Sequence, residues 1–191
     1  EAEDTHWMRE ALRSLDIPVL ESAAGWEIHG GGRPRAKGLL WLGASGSTLR
    51  FLLPWLALQA DGPVVLRGES RLFERPLGPL LEAVQTLGAR WEGRADGGCL
   101  NPVAASPRHL EADIDASRSS QFVTGLALAA AGLPEGGRLR WNGPVASPSY
   151  LKLTADWLER FGCSSRLDVT SWEIPGNCLR PTSLALAADW S

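Results

Sequence analysis

Apolar residues recur at helical spacing in several stretches of the chain. In the segment 45–58 they fall at i, i+3, i+4 and i+7, which predicts one apolar helix face: Leu49, Leu52, Leu53 and Leu56. Residues 77–84 repeat that spacing. Residues 119–131 are apolar on nearly every side, which predicts a helix buried over most of its surface. Pro54 lies inside the first of these helices, where a kink is expected.

Two helical patterns end alike, and this similarity reveals a repeat. One pattern ends Leu-Gly at Gly88, and another ends Phe-Gly at Gly162. A third copy, over residues 4–15, ends with Asp16 in place of the glycine. Glycine suits the residue just after a helix, where a positive φ is favoured. We therefore predict three related helices with corresponding ends.

Short strand patterns surround these helices and complete a repeating unit. Two strands follow each of the three helices, and a strand, a helix and a strand precede the second and third. The predicted helices span residues 4–15, 45–58, 75–87, 119–131 and 147–161. The predicted strands span residues 18–21, 25–29, 38–42, 63–67, 89–92, 99–103, 109–114, 138–141, 165–169 and 171–174. The order β-α-β-α-β-β predicts an α/β (α+β) fold built from repeated units.

The repeat also divides the chain. We predict a single domain over residues 1–191, with a partial unit at 1–32, a second unit at 33–106 and a third at 107–181. In residues 182–191 a strand pattern leads to Asp-x-Ser with no helix behind it. We expect this segment to begin the crossover to a second domain, so that the chain is one piece of a longer protein.

Composition narrows the class of protein. Hydrophobic residues make up 44% of the 191 residues, charged residues make up 21%, and the net charge is −3. This balance disfavours a nucleic-acid partner, and neither a membrane span nor a secretion signal is visible. The histidines show no metal-ligand spacing. Cys99, Cys163 and Cys178 show no CxxC spacing, so we expect free thiols in a reducing cytoplasm, without zinc or a disulfide.

Four polar turns, each just before a predicted helix, are candidate anion sites. They are residues 43–50 (Gly-Ala-Ser-Gly-Ser-Thr-Leu-Arg), 74–76 (Glu-Arg-Pro), 115–121 (Asp-Ala-Ser-Arg-Ser-Ser-Gln) and 147–150 (Ser-Pro-Ser-Tyr). Backbone N–H groups at a helix N-terminus attract anions, glycine permits close approach, and arginine pairs with phosphate or carboxylate. The first turn lacks the lysine of a nucleotide P-loop, which excludes that motif.

Each turn also has a purely structural interpretation. The first can be a small-residue turn that lets a helix pack on a sheet, and the serines of the third can be an N-cap. Arg75 can be a solvated side chain before a helix that Pro76 opens, and Tyr150 can cap the core. Because all four turns occupy corresponding parts of repeated units, the fold can gather them at one end. Converging helix N-termini would then hold a small anionic ligand, even though the chain has no excess of basic over acidic residues.

Four ordered motifs, at residues 43–53, 71–78, 119–122 and 147–150, are similar to those of the 5-enolpyruvylshikimate-3-phosphate synthase (3-phosphoshikimate 1-carboxyvinyltransferase) family. The resemblance implies two similar domains of three βαβαββ units each, the inside-out α/β barrel of enolpyruvyl transferases, with the active site between them. It implies enolpyruvyl transfer from phosphoenolpyruvate to the 5-hydroxyl of shikimate 3-phosphate. This chain resembles the half that binds shikimate 3-phosphate.

The resemblance also implies roles for individual residues. Shikimate 3-phosphate would be contacted by Ser119, Ser120, Gln121, Ser147 and Tyr150. Phosphoenolpyruvate would be contacted by Gly46 through its backbone, by Arg75 through its charge, and by Gln121. Arg50 matches a family arginine near the hinge and is carried over only as structural. The resemblance implies no catalytic residue in this chain and no metal or cofactor. It implies that the chain binds the anionic substrates and packs with a second domain of the same monomeric protein. Without that second domain, the chain is expected to be inactive.

Departures from the family pattern leave other functions open. Ala44 stands where the family often has asparagine, Pro148 stands where it often has a basic residue, and the family's early Lys-Ser-x-x-x-Arg motif is missing. One alternative is the related transferase that acts on UDP-N-acetylglucosamine and uses a loop cysteine, since Cys99 follows two glycines in a predicted loop. The other is a non-catalytic binding module of the same fold, to which nine tryptophans would offer contact surface.

Overall fold

The computed structural model describes residues 2–23, 25–35, 38–103 and 106–186. Their helices are α1 (Glu3–Ser14), α2 (Gly46–Gln59), α3 (Ser70–Phe73), α4 (Gly78–Thr86), α5 (Gln121–Ala131) and α6 (Ser149–Arg160). Their strands are β1 (Val19–Ser22), β2 (Gly25–Ile28), β3 (Leu39–Trp41), β4 (Val64–Arg67), β5 (Arg90–Arg94), β6 (Gly97–Asn101), β7 (Leu110–Asp113), β8 (Gly137–Arg140), β9 (Arg166–Leu167) and β10 (Ser171–Ile174). Each helix and strand predicted within residues 4–174 overlaps one of these elements, and α3 is additional. The strand pattern predicted at the start of segment 182–191 is wrong for residues 182–186, which form neither strand nor helix. None of these helices has the length and hydropathy to cross a membrane.

The strands of the described ranges form two similar sheets and one hairpin. One sheet has the strand order β3-β4-β6-β5, and the other has the order β7-β8-β10-β9. In both sheets the first pair is parallel and the other two pairs are antiparallel. Each sheet comes from one run of strands and helices, so the sequence repeat corresponds to a structural repeat. The first copy contributes α1 and the β1–β2 hairpin. The predicted Asp-x-Ser ending of segment 182–191 lies outside the described residues.

Helices α2 and α5 form the buried centre. The four leucines of the predicted α2 face are at most 4% exposed, and α5 is buried at nearly every position, as predicted. The two helices approach closely at Gly125, where a Cβ would collide with the backbone carbonyl oxygen of Arg50 and lie 3.2 Å from Pro54 Cγ. Pro54 has no N–H to donate to that carbonyl, and α2 continues through Pro54 to its end. This packing places the N-termini of α2 and α5 side by side.

Three helices end with the same hydrogen-bond pattern. Helices α1, α4 and α6 each end in a C-cap residue, and the residue after that cap has a positive φ. The φ is 61° at Asp16, 102° at Gly88 and 85° at Gly162. The N–H groups of that residue and its successor donate back into the last helical turn, as in a Schellman motif. The predicted positive φ of the glycines is confirmed, and Asp16 adopts the same conformation.

Helix α4 begins later than predicted. The sequence suggested a start near Arg75 with Pro76 in the first position, whereas α4 starts at Gly78, and Leu77 is its N-cap. Pro79, rather than Pro76, occupies the first turn of the helix, where the missing N–H of proline costs no hydrogen bond. The suggested place of Pro76 as first helical residue is therefore wrong. Arg75 belongs instead to the turn between α3 and α4.

The expectation of three free thiols is also wrong. Cys163 and Cys178 form a disulfide with Cα atoms 4.6 Å apart, and Cys99 is free. Cys163 directly follows the Schellman turn of α6, and Cys178 lies beyond β10, so the fold brings together two residues with no recognisable spacing. Cys99 lies within β6, opposite Val65 and Glu92, rather than in a loop.

Candidate anion-binding site

Hydroxyl groups and a glycine hold the turn before α2. Ser45 is the N-cap: its Oγ accepts a hydrogen bond from the Thr48 N–H at 3.2 Å and donates one to Thr48 Oγ1 at 2.6 Å. Both residues are 1% exposed. Gly43 has a φ of 54°, and a Cβ there would collide with the indole of Trp7. The turn is thereby fixed, and the leading N–H groups of α2 have no partner within the helix.

Two arginines lie against Gly46, the first residue of α2. A Cβ built on Gly46 would lie 2.6 Å from Arg75 Nη1 and 3.3 Å from Arg50 Nη1. Arg75 comes from the turn between α3 and α4, whereas Arg50 lies one turn further along α2. Two elements thus bring guanidinium groups to one helix N-terminus. A side chain at position 46 would occupy the space that they fill.

Arg50 is anchored on several sides. Its Nη1 donates to Gln121 Oε1 at 2.7 Å, and its Nη2 donates to the Pro76 carbonyl oxygen at 3.4 Å. Its Cζ lies 5.6 Å from the ring centre of Phe122, at cation–π distance. Its Nε is buried and has no hydrogen-bond partner in the described part of the chain. Burial lowers the pKa of Arg50, and the positive charge of Arg75 lowers it further.

Gln121 connects the N-termini of α5 and α2. Its Nε2 donates to Ser47 Oγ at 2.9 Å, and its backbone N–H donates to Ser119 Oγ at 3.3 Å. Ser120 precedes α5 and is 5% exposed, whereas Ser119 and Gln121 are half-buried. A ligand at this point would therefore meet hydroxyl groups, a carboxamide and helix N–H groups.

The turn before α6 lies beside the turn before α5. The Ala146 N–H donates to the Ala116 carbonyl oxygen at 3.0 Å, which joins the two segments. Ser147 has a φ of 53° and is exposed. Tyr150, in the first turn of α6, is 59% exposed. The suggestion that Tyr150 caps the core is wrong, and its phenol is accessible from solvent.

The charge balance of the site favours an anion. Within the described ranges neither Arg50 nor Arg75 forms a salt bridge. In the turn before α5, Asp115 Oδ1 accepts a hydrogen bond from the Ser117 N–H at 2.9 Å, so this carboxylate is engaged within its own turn. Hydrogen bonds from Ser117, the side chain first and the backbone second, lower the pKa of Asp115. Two guanidinium groups and two helix N-termini remain to hold negative charge.

The structure brings part of the predicted set into direct proximity. Gly46, Arg75 and Gln121 surround Arg50. Ser119 and Ser120 adjoin Gln121 in sequence, and Ser147 and Tyr150 lie in the neighbouring turn. From its motif, Arg50 was predicted to have only a structural role, and Ser47 was not predicted as a contact. A signal was present, because Arg50 follows Gly46 by four residues and so shares its helix face.

The fold is that of the enolpyruvyl transferases. The solved structure of EPSP synthase from Acinetobacter baumannii superposes with a TM-score of 0.75 at 22% sequence identity, and the match covers 95% of this chain and 41% of that chain. The predicted fold class is confirmed. The superposition shows that the repeated units are arranged as in the matching part of that chain.

The sequence identifies the family. Residues 1–190 match the profile of EPSP synthase (3-phosphoshikimate 1-carboxyvinyltransferase), so the chain belongs to this family, as its motifs predicted. The 3-phosphoshikimate 1-carboxyvinyltransferase of Rhizobium etli is 33% identical over an alignment of 201 positions, gaps included, which covers 100% of this chain and 46% of that protein. The Methanopyrus kandleri enzyme of the same name is 36% identical over 167 residues, covering 84% of this chain and 38% of that protein. The chain thus spans less than half the length of these relatives.

Proposed function

We propose that the complete protein containing this chain transfers the enolpyruvyl group of phosphoenolpyruvate to the 5-hydroxyl of shikimate 3-phosphate. This chain would supply the half of the active site that binds shikimate 3-phosphate. The observation that carries the proposal is the convergence of Gly46, Arg75 and Gln121 at the N-termini of α2 and α5. The names of the relatives support the choice of reaction.

The turns before α5 and α6 would bind shikimate 3-phosphate. Ser119 and Gln121 are half-buried and offer a hydroxyl and a carboxamide beside the first N–H groups of α5. Ser120 is 5% exposed, so its contact involves a small part of its surface. Ser147 and Tyr150 are exposed in the neighbouring turn and would donate hydroxyl hydrogen bonds. Neutral donors and a helix N-terminus suffice to hold a phosphate.

The N-terminus of α2 would bind phosphoenolpyruvate. Gly46 offers its backbone N–H, and the absence of a Cβ leaves room for the Arg75 guanidinium. Arg75 is exposed and forms no salt bridge within the described ranges, so both of its Nη atoms can pair with a carboxylate or phosphate. Gln121 lies between this site and the turn before α5, where it would contact both substrates.

The reaction is an addition followed by an elimination. A proton adds to the methylene carbon of phosphoenolpyruvate, C2 becomes cationic, and the 5-hydroxyl oxygen attacks C2 while losing its proton. The tetrahedral ketal then loses phosphate from C2 and a proton from the methyl carbon. The contribution of this chain is to hold two anions so that the hydroxyl faces C2. We assign the proton transfers to groups outside this chain, across the cleft, so the chain alone binds substrate without turnover.

The wider assignments follow from this function. We propose a cytoplasmic monomer whose ligands are small anions, without nucleic acid, metal or organic cofactor. The argument from free thiols no longer supports this compartment, because Cys163 and Cys178 form a disulfide. The UDP-N-acetylglucosamine alternative loses its support because Cys99 does not lie in a loop. It lies inside strand β6, which is hydrogen-bonded to β4 on one side and β5 on the other. The binding-module alternative rests on exposed tryptophans: Trp26 is 41% and Trp41 is 46% exposed, whereas Trp172 is fully buried.

An assay of the complete protein tests the proposal. Phosphate release and product mass are followed with phosphoenolpyruvate and either shikimate 3-phosphate or UDP-N-acetylglucosamine as acceptor. We expect turnover only when shikimate 3-phosphate is the acceptor, and we expect the Arg75→Ala variant to lose that turnover. Arg71→Ala is the matched control, because Arg71 lies in the same segment but pairs with Glu69 at 2.8 Å. Turnover only with UDP-N-acetylglucosamine, or with neither acceptor, contradicts the proposal.

A further inference from the structure

We propose that Arg50 is a positioning residue for the phosphoenolpyruvate site, acting through Gln121 and the turn that carries Arg75. The inference rests on the proposed function, which gives Gln121 and Arg75 contacts with phosphoenolpyruvate and gives Arg50 none. Arg50 is connected to both: it donates to Gln121 Oε1 at 2.7 Å and to the carbonyl oxygen of Pro76, the residue after Arg75, at 3.4 Å. One side chain thus links two assigned contacts from separate repeats.

The hydrogen bond from Arg50 sets the orientation of the Gln121 carboxamide. A guanidinium has only donors, so the Gln121 atom that faces it must be the oxygen. Nε2 then points the other way and donates one of its two hydrogens to Ser47 Oγ at 2.9 Å. Its second hydrogen is left for an anion. With the carboxamide turned over, Oε1 would face the anion and repel it, so the Arg50 contact keeps a donor in the site.

Arg50 is held firmly enough to orient a neighbour. It is half-buried, its Cζ lies 5.6 Å from the Phe122 ring centre, and its Nε is buried. Its Nη atoms donate to Gln121 and to Pro76, so the guanidinium is tied to both parts of the site and acts on the ligand through them. A fixed supporting group reduces the ordering that ligand binding would otherwise require.

Charge is the alternative explanation for any effect of Arg50. The guanidinium groups of Arg50 and Arg75 both approach Gly46, and either would attract an anion. Arg50→Lys separates the two effects, because lysine keeps the charge and loses the planar fork that reaches Gln121 and Pro76 together. If Arg50 acts only by charge, the lysine variant retains affinity for the anion. If it positions Gln121, the lysine variant loses affinity.

Calorimetric titration of this chain with phosphoenolpyruvate gives the first test. We expect Arg50→Lys and Gln121→Ala each to raise the Kd about tenfold. The contact with Gln121, at 2.7 Å, is the shorter and stronger of the two that Arg50 makes, and the Pro76 contact is 3.4 Å long. The double variant should therefore bind within about twofold of Gln121→Ala. Independent effects that multiply to about a hundredfold, or an unchanged Kd in Arg50→Lys, would overturn the inference. If the lysine variant does not fold, Arg50→Met is combined with Gln121→Ala instead: a double variant within about twofold of Gln121→Ala supports positioning, and effects that multiply overturn it.

The side-chain amide signals of Gln121 give a second test that needs no ligand. In ¹⁵N-labelled unliganded chain, the Nε2 hydrogen donated to Ser47 Oγ should resonate downfield of an unbonded carboxamide hydrogen and exchange slowly with solvent. Arg50→Lys should accelerate that exchange and move the signal to the unbonded position, at an unchanged melting temperature. Unaltered Gln121 signals would overturn the inference. If wild-type chain failed to bind phosphoenolpyruvate, the proposed function would fail for this chain, and the amide signals would still decide the role of Arg50.

Discussion

Arg50 Nη1 lies 2.7 Å from Gln121 Oε1, across 71 positions of the chain. This hydrogen bond joins the N-terminal part of α2 to the first residue of α5. Arg75 lies against Gly46 beside the same arginine. Three sequence motifs from different parts of the repeat are therefore neighbours in space. An anion site built from several helix N-termini requires this arrangement.

Gly46→Ala should weaken phosphoenolpyruvate binding without unfolding the chain. The new methyl group would lie 2.6 Å from Arg75 Nη1, and the far end of an arginine can move aside. We expect the Kd to rise about tenfold, measured by calorimetry, with little change in melting temperature. Gly78→Ala is the matched control, since a methyl group there meets no atom within 4 Å. Equal affinity in Gly46→Ala and wild type would contradict the placement of Arg75.

Gly125→Ala should destabilise the fold. Its methyl group would run into the Arg50 carbonyl oxygen, a backbone atom that cannot move without shifting α2. We expect the free energy of unfolding to fall by about 1–3 kcal/mol, measured by urea denaturation. In the control, Gly132→Ala, the methyl group meets the flexible end of Gln59 at 3.2 Å, and the φ of −88° suits alanine. Two variants of equal stability would show that α2 and α5 do not pack this closely.

Tyr150→Phe should weaken shikimate 3-phosphate binding and leave stability unchanged. Tyr150 is 59% exposed, so its hydroxyl contributes little to packing. A hydroxyl that donates to a phosphate should account for about a tenfold difference in Kd, measured by calorimetry. Leu153→Ala, 49% exposed on the same helix, is the control and should bind normally. Identical affinities of Tyr150→Phe and wild type would remove Tyr150 from the site.

Acid should loosen the turn before α5. Hydrogen bonds from Ser117 lower the pKa of Asp115 in the folded chain. A carboxyl group with a lowered folded pKa stabilises the fold above its unfolded pKa, and this contribution is lost as the pH falls through the folded pKa. The Ser117 amide resonance should therefore titrate at lower pH than the same group in urea-unfolded chain. Asp115→Asn should abolish the inflection, and coincident midpoints in folded and unfolded chain would refute the hydrogen bond.

Reduction of the disulfide should lower the free energy of unfolding. Cys163 and Cys178 are 15 residues apart, and a loop of that size corresponds to about 3 kcal/mol of chain entropy. Urea denaturation with and without a phosphine reductant measures the loss. Cys99→Ser is the control: its remaining cysteines are the bonded pair, so reductant should destabilise it equally. If the free energy of unfolding is the same with and without the reductant, the chain does not contain this disulfide.

Local patterns predicted most of the elements. Leu49, Leu52, Leu53 and Leu56 face the core because their spacing defines one helix face. Gly88 and Gly162 adopt a positive φ because a helix end favours it. Both features depend on neighbours in sequence, which is why single-sequence reasoning reached them. Because the units repeat, the order of strands and helices in one unit also predicted the order in the next.

The features that the sequence did not predict mostly depend on residues that are far apart in the chain and close together in the fold. The disulfide depends on a 4.6 Å separation between Cα atoms that no residue spacing encodes. The environment of Arg50 depends on which faces of α2 and α5 meet, and Gly125 decides that only once both helices are placed. Helix α3 has four residues, too few for a periodic pattern. The start of α4 was misplaced because Pro76 and Pro79 both suit the first turn of a helix, and the structure uses Pro79.

Titration of the ¹⁵N-labelled chain with shikimate 3-phosphate, followed by phosphoenolpyruvate, measures the central claim residue by residue. The first ligand should shift the amide signals of Ser119, Gln121 and Tyr150. The second should add shifts at Gly46 and Arg75. Saturable shifts confined to those turns are the predicted result. Shifts that cluster on the sheets instead, or none at millimolar ligand, would mean that the gathered helix N-termini are not a substrate site.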